Sequence, residues 1–241
     1  MLEVNNLNIK LKAFKLSMHF DVNPETITAV IGPSGAGKST LLDAISGFTD
    51  IESGTISWKQ QQLNNLAPSQ RPITIVFQDN NLFPHLNVYQ NVALGLTTKI
   101  SYQPKFNDQI NEALLRVDLK EDVEKFPSQL SGGQKGRVAL ARALVRNKKL
   151  LLLDEPFAAL GPALREEMLN LVKDISIKNK LTVLIVSHNP KELIGVCKDA
   201  IIVAENKASG PHDLANLLKK PPKALRAVSY THLTLPTTRC V

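Results

Sequence analysis

No stretch of the 241-residue chain approaches the ~18 uninterrupted apolar residues that a membrane-spanning helix requires, so no transmembrane segment is expected. The opening Met1-Leu2-Glu3-Val4-Asn5 lacks the basic-then-apolar pattern of a secretory signal, which points to a protein that stays in the cytoplasm. Cysteine is scarce. Cys197 and Cys240 stand far from any metal-ligand spacing, so neither a disulfide scaffold nor a zinc site is suggested and redox chemistry is left without support. Charge is not gathered into blocks either: a net +7 is spread along the chain, with Lys148-Lys149 and Lys219-Lys220 as local pairs. Such a spread describes a solvated surface, and it does not discriminate between nucleic acid, an anionic membrane surface and a polyanionic substrate as partner.

What is present is the composition of an ordinary globular protein, 43% hydrophobic and 21% charged. The length suffices for one substantial core, or for a main domain with a smaller one attached. The most informative stretch is Gly32-Pro33-Ser34-Gly35-Ala36-Gly37-Lys38-Ser39-Thr40, which follows the apolar run Thr26 to Ile31 and precedes Leu41-Leu42-Asp43-Ala44-Ile45. This is the strand, glycine-rich loop and helix of a phosphate-binding P-loop. Glycines let the backbone turn tightly so that successive N–H groups point inward at phosphate, and a helix opening at Lys38 adds the positive end of its dipole. Lys38 is placed to bring its ammonium to the β- and γ-phosphates of a nucleotide, and Ser39 to offer a hydroxyl to Mg²⁺. The plain alternative is a glycine-rich turn with an exposed lysine. The full pattern in its strand-to-helix context argues against it.

Upstream of the loop, Leu7 to Leu11 and Leu16 to Phe20 alternate as strands of a sheet with one wet face. Downstream, Glu52 to Trp58 reads as a turn and a short strand, with Trp58 as packing, and Pro72 to Gln78 as an apolar strand ending on a polar residue. From about residue 79 to 147 the periodicity is helical, as at Ile110, Ala113, Leu114 and Val117 and again at Val138, Ala141, Leu144 and Val145. The unalternating run Leu150 to Leu153 suits a strand covered on both faces, and Thr182 to Val186 and Ala200 to Val203 supply two more. Between them Pro162 to Ile177 carries a helical stripe of Leu164, Met168, Leu171 and Ile175. This strand–helix–strand repetition predicts an α/β nucleotide-binding core.

Two further motifs bear chemistry. The run Leu150 to Leu153 leads into Asp154-Glu155-Pro156, a Walker B pattern that puts two carboxylates at the carboxyl end of a buried strand, beside the P-loop in a doubly wound sheet. There Asp154 would hold Mg²⁺ and Glu155 would orient and polarise the water that attacks the γ-phosphate. Leu130-Ser131-Gly132-Gly133-Gln134 opens a second helix whose N-terminus can face an anion. A serine N-cap accounts for Ser131 but not for two glycines where helix propensity disfavours them.

Taken together, Gly32 to Thr40, Gln78, Leu130 to Gln134, Leu153 to Pro156 and His188 resemble, in order and over residues 1–220, the nucleotide-binding subunit of ATP-binding cassette (ABC) transporters. The resemblance implies a P-loop NTPase core with a mixed sheet, an antiparallel β subdomain and a helical signature-motif subdomain at about 79–147. It implies an ATPase using ATP and Mg²⁺ at the cytoplasmic face of a bacterial inner membrane. Two copies would pair head to tail, Ser131 to Gln134 of one closing over the ATP held by Lys38 of the other. A transmembrane permease subunit would be the partner and, indirectly, a periplasmic or extracellular solute-binding protein, with no nucleic acid. By the same resemblance Gln78 touches Mg²⁺ and the attacking water, and His188 contacts the γ-phosphate. More narrowly, Phe77 to Leu86 and Pro162 to Leu169 are similar to the ATPase subunit of bacterial thiamine importers. Importers of iron, polyamines, sulfate or molybdate stay open as alternatives. So does a soluble cassette acting on nucleic acid, although the tandem cassettes or long coiled coil of that class are absent.

The chain departs from the family pattern in three places. Gly161 stands where the loop after the acidic pair usually ends in aspartate, which removes a carboxylate expected to bond across the dimer and raises the option of a cassette that binds ATP but turns it over poorly. Lys135-Gly136 replaces longer polar residues after the signature, and a glycine inside a helix costs about 1 kcal/mol relative to alanine. The aromatic that stacks on adenine is expected near Leu11, where Phe14 is the candidate. Residues 221–241 form a C-terminal tail, and from Val228 onward it resembles translated sequencing read-through and is set aside from fold reasoning.

Overall fold

β1 (Leu2–Leu11), β2 (Phe14–Val22) and β3 (Ile27–Ile31) lead into α1 (Lys38–Ser46), then β4 (Ser53–Trp58), β5 (Gln61–Gln62) and β6 (Ile73–Val76). Next come α2 (Val88–Ala93), α3 (Asn107–Arg116) and α4 (Gly132–Val145), with short 3₁₀ turns between them. β7 (Leu150–Asp154), α5 (Pro162–Asn179), β8 (Thr182–Val186), β9 (Asp199–Ala204), β10 (Lys207–Asp213) and α6 (Leu214–Lys219) complete the order. This computed structural model describes residues 1–11, 14–98 and 104–225; the readings attached to the end of the tail lie outside them.

One sheet runs β5-β4-β1-β2-β10-β9-β3-β8-β7-β6. Its first part is antiparallel at β5–β4, β4–β1 and β1–β2; of the alternation read at Leu7 to Leu11, Leu7 and Ile9 are buried with Leu2 and Val4, while Leu11 at the strand end is exposed. The alternation slips by one residue between Val4 and Leu7, where the ladder shifts register and Asn6 takes φ +46°. The other part, β9-β3-β8-β7-β6, is parallel. Its strands are apolar without alternation because both faces are covered. Ile27, Ala29, Ile31, Leu151, Leu153, Val183 and Ile185 pack into a core with α3, α4 and α5, while Val30, Leu150, Leu152, Leu184 and Val186 pack into a second core with α1 and the antiparallel strands. Trp58 is buried in that second core, as a packing residue should be. The expected mixed sheet, with its antiparallel and helical parts, is therefore the architecture found.

Strand order is settled only in the sheet: β8 pairs with both β3 and β7 and lies between them. The residues that follow β8 therefore leave the sheet between the P-loop and the acidic pair, an order that apolar runs of equal character do not encode. The helical stretch begins at Val88 rather than near residue 79, and the residues before it form a loop. No helix of the described residues is long and apolar enough to cross a membrane.

Candidate functional site

The P-loop is shaped from beneath. A Cβ on Gly32 would lie 2.0 Å from the Val203 carbonyl oxygen of β9, so only hydrogen fits where the chain leaves β3. Gly35 and Gly37 take φ +74° and +102°, which turns the backbone back toward α1. Gly37 is the N-cap of α1 and no side chain caps that helix, so its first-turn N–H groups are left to an anion. Lys38 is buried, and its Nζ donates to the carbonyl oxygens of Gly32 at 3.0 Å and Pro33 at 2.9 Å. Burial pulls the Lys38 ammonium below the usual lysine range, and Glu155 and Asp154 oppose that pull.

Around this loop the ends of β3, β6, β7 and β8 form one cleft of about 320 Å³. Ser34, Gly35, Gly37, Lys38, Ser39 and Thr40 line it together with Phe14, Gln78, Glu155 and His188, while Gly32, Pro33 and Ala36 complete the turn. Residues up to 174 positions apart in sequence, Phe14 and His188, thus share one cavity. Phe14 lies across Gly37, where an added Cβ would come within 2.6 Å of its ring.

Asp154 is the last residue of β7, and Glu155 follows with φ +48°, a left-handed turn that swings its side chain into the cleft. His188 Nε2 stands 2.5 Å from Glu155 Oε2. Burial pushes the Glu155 carboxyl up; His188 and Lys38 pull it down and Asp154 adds to the rise. Asp43 of α1 is likewise pushed up, first by burial and then by Asp154. Asp154 Oδ1 is buried without a hydrogen-bond partner among the described residues. An orphaned carboxylate oxygen with the further acids Glu155 and Asp43 in electrostatic reach fits a hard divalent cation. Among the described residues no group of three or more His, Cys, Asp and Glu could by itself hold a metal ion.

The signature residues line a different cavity, with Ser131, Gly133 and Gln134 beside Asp122, Arg137 and Leu164. Ser131 Oγ accepts from the Gln134 N–H at 3.2 Å, and Gln134 Oε1 accepts from the Ser131 N–H at 2.9 Å, closing a capping box at the start of α4. Gln134 Nε2 also donates to Asp122 Oδ2 at 3.0 Å. The two glycines have a packing reason: a Cβ on Gly132 or Gly133 would stand 2.9 Å from a methyl of Leu160 or Leu164. Gly136 sits against Met168 and Phe157, so its absent side chain lets α4 approach α5.

Several residues that hold the site carry no motif. Asn91 is fully buried, accepts from the Phe83 N–H and donates to the carbonyls of Phe83, Leu86 and Asn87, which fixes the loop after Gln78. Arg142, near the end of α4, donates to the carbonyls of Asn80 at 2.5 Å and Asn81 at 2.7 Å, both residues with positive φ. Arg71 is buried and donates to the carbonyls of Ala44 and Ile45 at the end of α1. Their partners are main-chain carbonyls, whose identity leaves no trace in sequence; a polar residue breaking an apolar helical stripe, as Asn91 does, is the one available hint.

Comparison with known proteins agrees with this geometry. A family described as ABC transporter matches residues 16–158. The chain is 47% identical over 226 residues to the thiamine import ATP-binding protein ThiQ of Ruegeria sp., covering 94% of this chain and 98% of that protein. It is 41% identical over 220 residues to the ThiQ of Aliivibrio fischeri, covering 90% and 94%. Among solved structures, cbiO1 of Clostridium perfringens, described as part of the ABC transporter complex cbiONQ, superposes with TM-score 0.80 at 29% identity, covering 91% of this chain and 90% of that one. An ATP-binding cassette of an ABC transporter in its ADP conformation superposes with TM-score 0.83 at 25% identity, covering 92% and 95%. A P-loop, an acidic pair and a histidine that meet in one cleft, in a chain matched this far by this family, identify it as a member: the chain belongs to the ABC transporter family, as one of its ATP-binding subunits.

Proposed function

We propose that the chain is the ATP-hydrolysing subunit of a bacterial importer for thiamine or thiamine phosphates. The observation that carries the hydrolytic part is the convergence of Lys38, Gln78, Glu155 and His188 on one cleft. The solute is supported by the relatives that match almost the whole chain, which are named for thiamine import.

In this reading the N–H groups of Gly35 to Lys38 cradle the phosphates, and Lys38 moves its ammonium from the Gly32 and Pro33 carbonyls to the β- and γ-phosphate oxygens. Ser34, Ala36 and Thr40 shape the loop around them. Ser39, Asp154 and Gln78 would hold Mg²⁺, which when bound neutralises charge on the phosphates. Glu155 orients the attacking water and accepts its proton, a task favoured by a carboxyl whose burial raises its basicity. His188 donates to the γ-phosphate and meanwhile holds Glu155 in place. Phe14 offers its ring to adenine at the edge of the cleft.

The second half of the site comes from another copy. Ser131, Gly132, Gly133 and Gln134 present the N-terminus of α4 to ATP held by the partner's P-loop, so that two sites close head to tail. A permease subunit and a solute-binding protein outside the membrane complete the machine, with this chain at the cytoplasmic face. Reconstitution of the chain with its permease and binding protein in lipid vesicles tests the reading. Thiamine should raise ATP consumption and accumulate in the vesicles. ATP consumption indifferent to thiamine but raised by iron, a polyamine, sulfate or molybdate would overturn the choice of solute.

A further inference from the structure

The two loops that carry Glu155 and His188 are tied together a second time, away from the cleft. Arg165 lies in the first turns of α5 with its side chain 24% exposed, and its guanidinium serves the loop that follows Glu155. Nε donates to the Phe157 carbonyl at 3.3 Å, and Nη2 donates to the carbonyls of Leu160 at 2.7 Å and Ala158 at 3.4 Å. Nη1 meets Glu192 Oε1 at 2.6 Å. That same oxygen accepts from Asn189 Nδ2 at 2.9 Å, and the Asn189 N–H donates to Ser187 Oγ at 3.1 Å, so Glu192 grips the residues on either side of His188.

Between this tie and the Glu155–His188 contact lies a cavity of about 310 Å³, walled by both loops and by Leu169 and Ile185. The spacing of the loops is therefore set at two polar crossties, one at each side of a void, rather than by continuous apolar packing. Arg165 is suited to the task because its planar fork can hold three carbonyls and one carboxylate at once, which a lysine cannot do.

We propose that Arg165 and Glu192 are positioning residues: as a pair they set the separation of Glu155 and His188, and with it the turnover of bound ATP, while leaving ATP binding to the P-loop. The proposal rests on the reading of Glu155 and His188 as hydrolytic groups. Neither Arg165 nor Glu192 lines the P-loop cleft, so a change confined to them should reach the chemistry only through the two loops.

The test is steady-state ATP hydrolysis by the full chain with its permease, for Glu192→Gln, Arg165→Gln, Arg165→Lys and the double variant, with thermal melting as the check of folding. Glu192→Gln keeps the shape and the acceptor for Asn189 but removes the charge that holds Arg165. Loosening reacting groups by a fraction of an ångström is expected to lower kcat about 10- to 100-fold in each glutamine variant while KM for ATP moves by less than about twofold. Residues acting as one unit should give a double variant no slower than the worse single, and Arg165→Lys, which keeps the charge but not the fork, should fall between Arg165→Gln and wild type. Should Arg165→Gln fail to fold, Glu192→Gln decides alone. A folded Glu192→Gln with wild-type kcat, or with a loss carried by KM, overturns the proposal, as does a double variant whose losses multiply. Turnover that survives Glu155→Gln would remove the role of Glu155 itself; turnover that needs Glu155 but ignores Glu192→Gln would remove this proposal alone.

Discussion

His188 Nε2 stands 2.5 Å from Glu155 Oε2, so the imidazole that follows β8 holds the carboxylate that follows β7. The acid is nonetheless pushed up from its ordinary range, because burial outweighs the pull of His188 and Lys38. A carboxyl raised in the folded state binds its proton more tightly there than in the unfolded chain, so its contribution to stability is full at low pH and is lost as pH rises through the raised value. Glu155→Gln is therefore expected to melt at a higher temperature than wild type at pH 8, with the difference vanishing near the ordinary glutamate value of about 4.3. A variant less stable than wild type at pH 8 would contradict this.

The same substitution should leave the phosphate contacts intact and remove the group proposed to accept the water's proton. ATP is then expected to accumulate unhydrolysed between two copies, seen as an ATP-dependent dimer by size exclusion. A Glu155→Gln chain that stays monomeric at millimolar ATP would sink the head-to-tail arrangement.

Lys38→Met tests the P-loop. Its ammonium already makes two hydrogen bonds to the loop's own carbonyls, and the proposed function has these exchanged for phosphate oxygens when ATP binds. A charge-assisted hydrogen bond contributes about 1.5–3 kcal/mol, so ATP affinity should fall about 10- to 100-fold, read by titration calorimetry.

Gly161 is the N-cap of α5, with no side-chain cap, extended backbone, and open space where a Cβ would stand. Gly161→Asp should fit without strain and cap the helix, raising stability by about 0.3 kcal/mol. If the missing carboxylate weakens communication between the paired sites, the variant should also raise the ATPase rate or its cooperativity; an unchanged rate in a stabilised variant would count against that coupling.

Arg142→Ala should release the carbonyls of Asn80 and Asn81, which lose their side-chain donor. Burial, and then the charge of Arg146, hold the Arg142 guanidinium below its usual range. A loss of about 2 kcal/mol is expected, with faster amide exchange at residues 79–82 as the local signature. Unaltered exchange in that loop would show that Asn91 holds it alone.

The short-range features were legible because their physics is local. The glycines at 35 and 37 announce a tight turn, Ser131 announces a helix N-cap, and the apolar runs Ile27–Ile31 and Leu150–Leu153 announce strands buried on both faces. Trp58 and the alternation in β1 were equally plain. The Asn91 and Arg142 contacts were not, because a carbonyl acceptor is the same in every residue and only its position in space selects a partner.

The sequence by itself determined the glycine-rich P-loop at Gly32 to Thr40 and the acid pair at a strand end, since both are residue types at fixed short spacings. Only the tertiary structure decided that β8 lies between β3 and β7, and so that His188 meets Glu155 in the cleft of Lys38. Strand order is set by how whole apolar faces and helices pack, an energy summed over many interchangeable side chains, and no single residue records it. The same packing puts Ser131 and Gly133 in a cavity other than that of Lys38, a separation that residue spacing along the chain leaves open.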